Sequence, residues 1–386
     1  MRRLLLLSSI PWLLSLSFGC GGSTEVAPSA DVAVDAAGEG DTLAPADTGT
    51  APEPDTAPEP DAVPEPDTWS PPWDYATPAP CEADCSSVAA CDEALVAACA
   101  VPRSCEVVAC EEACLSEAAD CEAAAECLGY EGAPLAEFEV GTYGSVTRAL
   151  AGPVTLPTLT GTWSLEEAWN GRDSVVFVTT RSGWEYLEEL WTYSPYMWLQ
   201  YSPMNVHYVF LSYPEFEVDE AGELLLTGDL SEEKMLAQKA FVDPELDKHG
   251  LVYGKARECH WRRRVHYVPV NVLALGSWVS ERVQTIFDTG FLTTGFAIDR
   301  FQRVRNLGLL NPLGGSPGLN HLAYEAEYYN FEWDREQVLA AEEVVTVELI
   351  TNESTGGSSL DVELPSAEEL LAYDTLEIDL QSWCNN

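Results

Sequence analysis

The chain is 386 residues long and carries 64 acidic against 19 basic side chains, a formal charge of −45 at neutral pH. So negative a chain is repelled by nucleic acid and by anionic headgroups, which excludes nucleic acid as a partner. The length leaves room for a leader, a tether and two or three domains.

Met1-Arg2-Arg3 is a positive start, and Leu4 to Leu16 is an apolar run interrupted by Pro11. That run is too short to span a bilayer as a helix, so residues 1–20 read as a signal peptide. Ser17-Phe18-Gly19-Cys20 resembles a bacterial lipobox, although Phe18 stands where Ala or Ser is usual. The resemblance implies cleavage ahead of Cys20, acylation of its sulfur, and a membrane partner reached only through that lipid. The location expected is the cell envelope, at the outer membrane, or secretion if an ordinary signal peptidase cuts near Gly19.

Residues 21–79 contain no Lys or Arg, and Pro-Glu-Pro-Asp recurs every six residues at Pro52, Pro58 and Pro64. Too few large apolar side chains are present to offset the entropy of ordering, so a disordered acidic linker is expected. Proline stiffness and like-charge repulsion extend such a chain to on the order of 150 Å.

Residues 80–130 hold nine of the twelve cysteines: Cys81, Cys85, Cys91, Cys99, Cys105, Cys110, Cys114, Cys121 and Cys127. In an exported chain they are disulfide candidates. The Ala- and Glu-rich segments between them favour helix, and the i, i+4 pairs Cys81/Cys85 and Cys110/Cys114 are placed on shared helix faces. A small helical module stapled by bridges is expected, with no metal and no cofactor, because paired Cys-x-x-Cys and histidine ligands are missing. Nine is odd, so one cysteine pairs elsewhere, with Cys259 or Cys384, or stays free.

From about 139 to 320 the pattern becomes globular. Ser164-Leu-Glu-Glu167 has capping-box spacing for a short helix, and Asp173 to Thr180 and Val206 to Tyr213 are continuous apolar strands. A helix is predicted from Ser231 to about Phe241, a strand over Val265–Val270, and a helix over Ser277–Phe287. Two strands, Thr294–Asp299 and Gln302–Leu307, flank a tight turn. The order predicts an α/β fold, a mixed sheet with helices on both faces. Val344–Ile350, Ser358–Leu364 and Tyr373–Leu380 alternate apolar and polar residues, so residues 340–386 are expected to form a partial antiparallel β segment.

Pro153 to Leu165, Asn170-Gly171, the strand Val175–Thr180, and Gly295-Phe-Ala-Ile-Asp299 leading to Arg303–Gly308 together resemble a redoxin of the thioredoxin-like superfamily. That resemblance implies a thiolate just beyond the first central strand, where a helix start would lower its pKa. Thr180-Arg-Ser-Gly-Trp184 occupies that slot without a cysteine, and Leu292-Thr-Thr294 replaces the family's cis-proline. Cys259 has no partner at useful spacing. Ser358–Pro365 and Tyr373–Cys384 resemble the opening strands of peptide-N-glycosidase F, whose essential aspartate would lie beyond Asn386. Neither resemblance carries over a catalytic residue.

Other candidates have ordinary readings. Cys259-His260 points its two side chains apart if on a strand, and His207, His249, His260, His266 and His321 show no ligand spacing. The basic cluster Lys255, Arg257, Arg262, Arg263 and Arg264 is expected to neutralise nearby acids. The aromatic run Trp184, Tyr186, Trp191, Tyr193, Tyr196, Trp198 and Tyr201 is expected to be core. The chain therefore reads as an envelope lipoprotein whose degenerate thioredoxin-like domain is a binding or scaffold module for a protein or polysaccharide partner. The alternatives are a glycoamidase that is truncated or depends on a partner, and an atypical redoxin.

Overall fold

In a computed structural model of the chain, the described residues are 2–9, 79–180, 190–192, 194–218, 224–288, 295–307, 318–341, 343–350, 366–371, 373 and 375–381. Cys20, Cys384, nearly all of the acidic linker, the Arg181–Trp184 slot and the Ser358–Leu364 strand lie outside them.

Strand β1 is Arg2–Ser9. The cysteine-rich module follows the linker as helices α1 (Glu93–Cys99), α2 (Cys105–Leu115) and α3 (Cys121–Leu128). Asp92, Ser104 and Asp120 each cap a helix by accepting from a first-turn amide, which satisfies donors that a helix start leaves open. Four bridges close the module internally: Cys81–Cys105, Cys85–Cys99, Cys91–Cys121 and Cys114–Cys127. Cys81 and Cys85 do not share a helix face. Cys81 pairs as an isolated bridge with Arg103, and Cys85 opens a short 3-10 turn capped by Asp84.

The fifth bridge takes the odd ninth cysteine to Cys259, one of the outside partners expected for it, and corrects the reading that Cys259 has no partner at useful spacing. It joins Cys110 of α2 to Cys259, 149 residues away, with Cα atoms 5.5 Å apart. Cys110 and Cys114 do share a helix face, and one sulfur goes inward to α3 while the other leaves the module. Spacing hides such a pair because it is made by tertiary packing.

The α/β part begins with β2 (Thr155–Thr158) and β3 (Gly161–Ser164), an antiparallel hairpin, then α4 (Leu165–Ala168). There follow β4 (Ser174–Thr180), α5 (Pro195–Tyr201), β5 (Val206–Ser212) and the hairpin β6 (Glu215–Val218) with β7 (Leu224–Gly228). Next come α6 (Ser231–Tyr253), α7 (Lys255–Arg262), β8 (Val265–Asn271), α8 (Trp278–Asp288), β9 (Gly295–Ile298), β10 (Val304–Leu307) and α9 (Leu319–Ala341).

Five strands form one mixed sheet in the order β10-β9-β4-β5-β8. β4, β5 and β8 are parallel, and β9 is antiparallel to both β4 and β10. Buried on both sides, β4 and β5 are apolar along most of their length, as parallel strands under two layers must be. One face packs Val175, Phe177, Val209 and Val268 against the β2-β3 hairpin, α4 and α8. The other packs Val176, Tyr208, Phe210 and Tyr267 against α5, α6 and α9. β9 comes so close to β4 that a Cβ at Gly295 would lie 1.7 Å from the Phe177 carbonyl oxygen, so only glycine fits.

Helix α6 runs through Pro244 to Tyr253, well beyond the predicted end near Phe241. Proline normally breaks a helix by removing one backbone bond. Here Val242 and Leu246 are buried on the sheet on either side of it, and that packing carries the helix through.

At the C-terminal end, β11 (Glu343–Ile350), the short α10 (Ala367–Leu370) and β12 (Thr375–Gln381) complete the described elements. Among the described residues the expected antiparallel arrangement is not found. β11 and β12 both run parallel to β1, which lies between them. The residues joining β11 to β12, 351–374, are numerous enough for a same-sense crossover, which a tight hairpin turn would forbid.

The Cys110–Cys259 bridge predicts a measurable coupling of module to sheet. Cys110→Ser/Cys259→Ser should lower unfolding free energy by about 3–5 kcal/mol, as expected for a bridge closing a long loop. Denaturant titration against wild type checks this, and an unchanged midpoint would remove the bridge from the folded protein.

Candidate functional site

The three parallel strands begin with polar residues on an otherwise apolar surface. Asp173 immediately precedes β4, while His207 and His266 are the second residues of β5 and β8. Alternation places both imidazoles on the face that carries Val175, Val209 and Val268, and all three polar residues are buried.

They form one hydrogen-bonded chain. His207 Nε2 donates to Asp173 Oδ2 at 3.1 Å, and His207 Nδ1 lies 3.1 Å from His266 Nε2. A carboxylate only accepts, so His207 carries its proton on Nε2 and His266 donates to the bare Nδ1. The two rings are stacked, 5.4 Å apart and 8° from parallel, and the Trp163 ring covers them at 5.1 Å from His266. Arg264 Nη2 donates to Asp173 Oδ2 at 3.0 Å and reaches Glu131 at 3.5 Å.

Burial sets the protonation states. It pushes both histidines below their ordinary pKa, and for His266 the neighbouring His207 and Arg264 add to the effect. Burial alone would raise Asp173. The hydrogen bond from His207 and the charge of Arg264 outweigh it and hold the carboxyl below its ordinary range. The site at neutral pH is thus one ion pair, Asp173 with Arg264, carrying two neutral imidazoles.

Chemically this resembles two-thirds of a nucleophile–base–acid relay. Among the described residues no hydroxyl or thiol hydrogen-bonds to His266. The cluster also sits at the amino-terminal ends of the parallel strands, whereas ligands in open α/β sheets bind beyond the carboxyl ends. Its neighbours are structural too. Asn205 Nδ2 donates to Glu327 at 2.6 Å, and Asn330 Nδ2 donates to Ser174 Oγ at 3.0 Å, tying α9 to the same strand ends. The arrangement locks three strands, one helix and the 131–133 linker together.

The remaining candidates fall into place around this lock. Cys259-His260 lies on helix α7, not on a strand. Cys259 is bonded to Cys110, and His260 Nε2 donates to the Met204 carbonyl at 2.8 Å. Burial, reinforced by Arg264 and Arg263, pushes the His260 pKa down to about 2. Four of the five basic residues are paired with acids, Lys255 with Glu258, Arg262 with Asp247 and Glu258, Arg263 with Glu111 and Arg264 with Asp173, whereas Arg257 lies over the Tyr253 ring, 5.9 Å from its centroid. Among the described residues, no group of three or more His, Cys, Asp or Glu side chains is placed to hold a metal ion.

Trp191 and Trp198 are core, while Tyr201 is exposed and Trp184, Tyr186 and Tyr193 lie outside the described residues. An aromatic surface lies elsewhere, on α9. Tyr324, Tyr328 and Phe331 are 54%, 57% and 64% exposed, and their i, i+4, i+7 spacing lines them along one face. The sequence does carry a signal for the histidine pair, in that Val-His-Tyr-Val opens both β5 at Val206 and β8 at Val265. Ligand-spacing rules miss it because the partners are 59 residues apart.

Two outcomes test the lock. Asp173→Asn leaves buried Arg264 with only Glu131, 3.5 Å away, and should cost about 3–5 kcal/mol in a denaturant titration. Both histidine pKa values are depressed in the fold, so the unfolded chain takes up protons first as the pH falls. Stability is then intact above about pH 6.5 and declines below it. Melting temperature from pH 7.5 to 5 should fall for wild type and fall less steeply for His266→Phe. No known family model, no curated protein and no solved structure matches this chain.

Proposed function

We propose that this chain is a cell-envelope lipoprotein, anchored through Cys20 and held off the membrane by its acidic linker, whose folded body is a rigid binding or scaffold module. The observation that carries this reading is the commitment of cysteine. All ten described cysteines are in disulfides, which form and persist in an oxidising, extracytoplasmic compartment. Among the described residues no helix is long and apolar enough to cross a membrane, so attachment in this reading falls to the lipid.

We take the α/β part to be a thioredoxin-like sheet without redox cysteines. Three parallel strands with an antiparallel hairpin at one edge support that relationship. Thiol chemistry there would need a structural bridge to open, and the Cys110–Cys259 bridge is buried. The polar cluster in the sheet joins Asp173, His207, His266 and Arg264 in one hydrogen-bonded chain across three strands and serves rigidity. The Tyr324, Tyr328 and Phe331 face of α9 supplies contact surface for a protein or polysaccharide partner, since rings of this kind stack and pack well when desolvated.

Labelled-palmitate incorporation tests the anchor. Wild type should take up label and partition with membranes, and Cys20→Ala should do neither. Equal labelling of the two proteins would sink the proposal. Thiol titration of the denatured, unreduced protein provides a second reading. Twelve cysteines, less ten in bridges and one acylated, leave one thiol per chain. A value of three or more would contradict the disulfide framework.

A further inference from the structure

Among the described residues three arginines are almost wholly buried, Arg264, Arg282 and Arg305, at 5%, 5% and 1% exposure. Arg264 lies against Asp173, and Arg305 against Asp299 and Glu332. Arg282, on α8, has two partners and both are neutral. Its Nη2 donates to Asn306 Oδ1 of β10 and, at 3.4 Å, to Thr147 Oγ1. Among the described residues it forms no ion pair, in a chain that carries 64 acidic side chains. Burial, with no charge opposing it, pushes Arg282 below its ordinary pKa. A buried charge without a counter-charge is among the costliest features a fold can carry, and its retention calls for an anion from outside the chain.

The side chains around Arg282 keep donors to spare. Thr147 Oγ1 also donates to Asn306 Oδ1, at 3.0 Å, so the amide oxygen faces both neighbours and its Nδ2 is left to donate elsewhere. Arg282 Nε is buried without a partner, and Nη1 enters no hydrogen bond among the described residues. Asn306 is half-buried and Thr147 exposed, so the cluster meets solvent on the Thr147 side. The turn that carries Thr147 is fixed. Arg148 holds a φ of 70°, its N–H donates to the Val304 carbonyl at 2.7 Å, and the Ala149 N–H donates to the Val146 carbonyl at 3.0 Å. One uncompensated positive charge balances one negative charge. A carboxylate brings one, whereas a phosphate group brings about two and would leave negative charge behind. A planar guanidinium beside a planar amide also matches the planar carboxylate.

We propose that Arg282, Asn306 and Thr147 form a binding site for a monocarboxylate, whose oxygens accept from the open donors of the guanidinium and the amide. Only the carboxylate enters, so a small free acid and the chain end of a polypeptide share the chemistry recognised. The site lies wholly in the folded body and stands or falls independently of the lipid anchor.

The test titrates the full-length protein with sodium acetate, phosphate and chloride at fixed pH and ionic strength, read by calorimetry and by melting temperature. Acetate should saturate at one per chain in the millimolar range, raise the melting temperature, and bind at least about tenfold more tightly than phosphate or chloride. Asn306→Asp sets an internal carboxylate against the guanidinium. It gains an ion pair, so it should melt higher than wild type without ligand and lose the acetate response. An N-acetylated dipeptide and its C-terminal amide separate the sources. Tighter binding of the dipeptide acid than of acetate supports a polypeptide chain end, and the reverse order supports a small acid. Equal binding of dipeptide acid and amide would overturn the proposal. So would an acetate effect no larger than that of chloride, or an acetate response that persists in Asn306→Asp.

Discussion

Consecutive arginines reach two of the buried carboxylates, Glu111 in the disulfide module and Asp173 at the start of β4. Arg263 Nη1 lies 2.9 Å from Glu111 and also donates to the Cys127 carbonyl at 2.7 Å. Arg264 turns the other way, to Asp173. A buried charge without a partner costs several kcal/mol, so the end of α7 supplies a counter-ion to each carboxylate, and Glu111 has a second one in Arg103 at 2.7 Å. Burial does push the Glu111 pKa up, and Arg263 and Arg103 oppose it. Even a glycine serves this contact. Gly129 closes α3 with a φ of 62°, and a Cβ there would lie 2.5 Å from the Arg263 guanidinium.

The segment from Cys259 to His266 is therefore the hub of the molecule. It contributes the sulfur that bridges to Cys110, the Trp261 ring in the core, the two arginines, and the imidazole that completes the strand lock. Within eight residues, the covalent, apolar and ionic contacts between module and sheet all meet. This explains why the cysteine-rich helices do not need a large core of their own. Their cluster of buried side chains includes Cys259, so the sheet domain supplies part of it.

The Asp173, His207, His266 and Arg264 cluster makes its hydrogen bonds to itself and to neighbouring elements, and leaves Asp173 Oδ1 and Arg264 Nε without partners among the described residues. The same holds at the β9-β10 turn. Asp299 accepts from the backbone of Phe301 and Arg303, and at 2.7 Å from the Arg305 side chain.

Much of the fold was legible in the sequence. Apolar runs marked β4 and β5, and Ser164 with Glu167 marked the start of α4. The Asp-Arg-Phe turn marked the hairpin of β9 and β10, and the cysteine density marked a bridged helical module. Each of these signals is local, because strand periodicity, capping and turn chemistry act within a few residues. The partner of Cys259, the passage of α6 through Pro244, the union of His207 with His266, and the parallel sense of β11 and β12 were not legible. They depend on which distant residues share a buried volume, and a linear pattern does not encode that. The sequence by itself determined composition, charge, the apolar strands of the sheet and the need for disulfides, but neither the long α9 nor the β6-β7 hairpin. Tertiary structure alone decided which charges meet, because the cost of burying an ion is fixed by what lies opposite it.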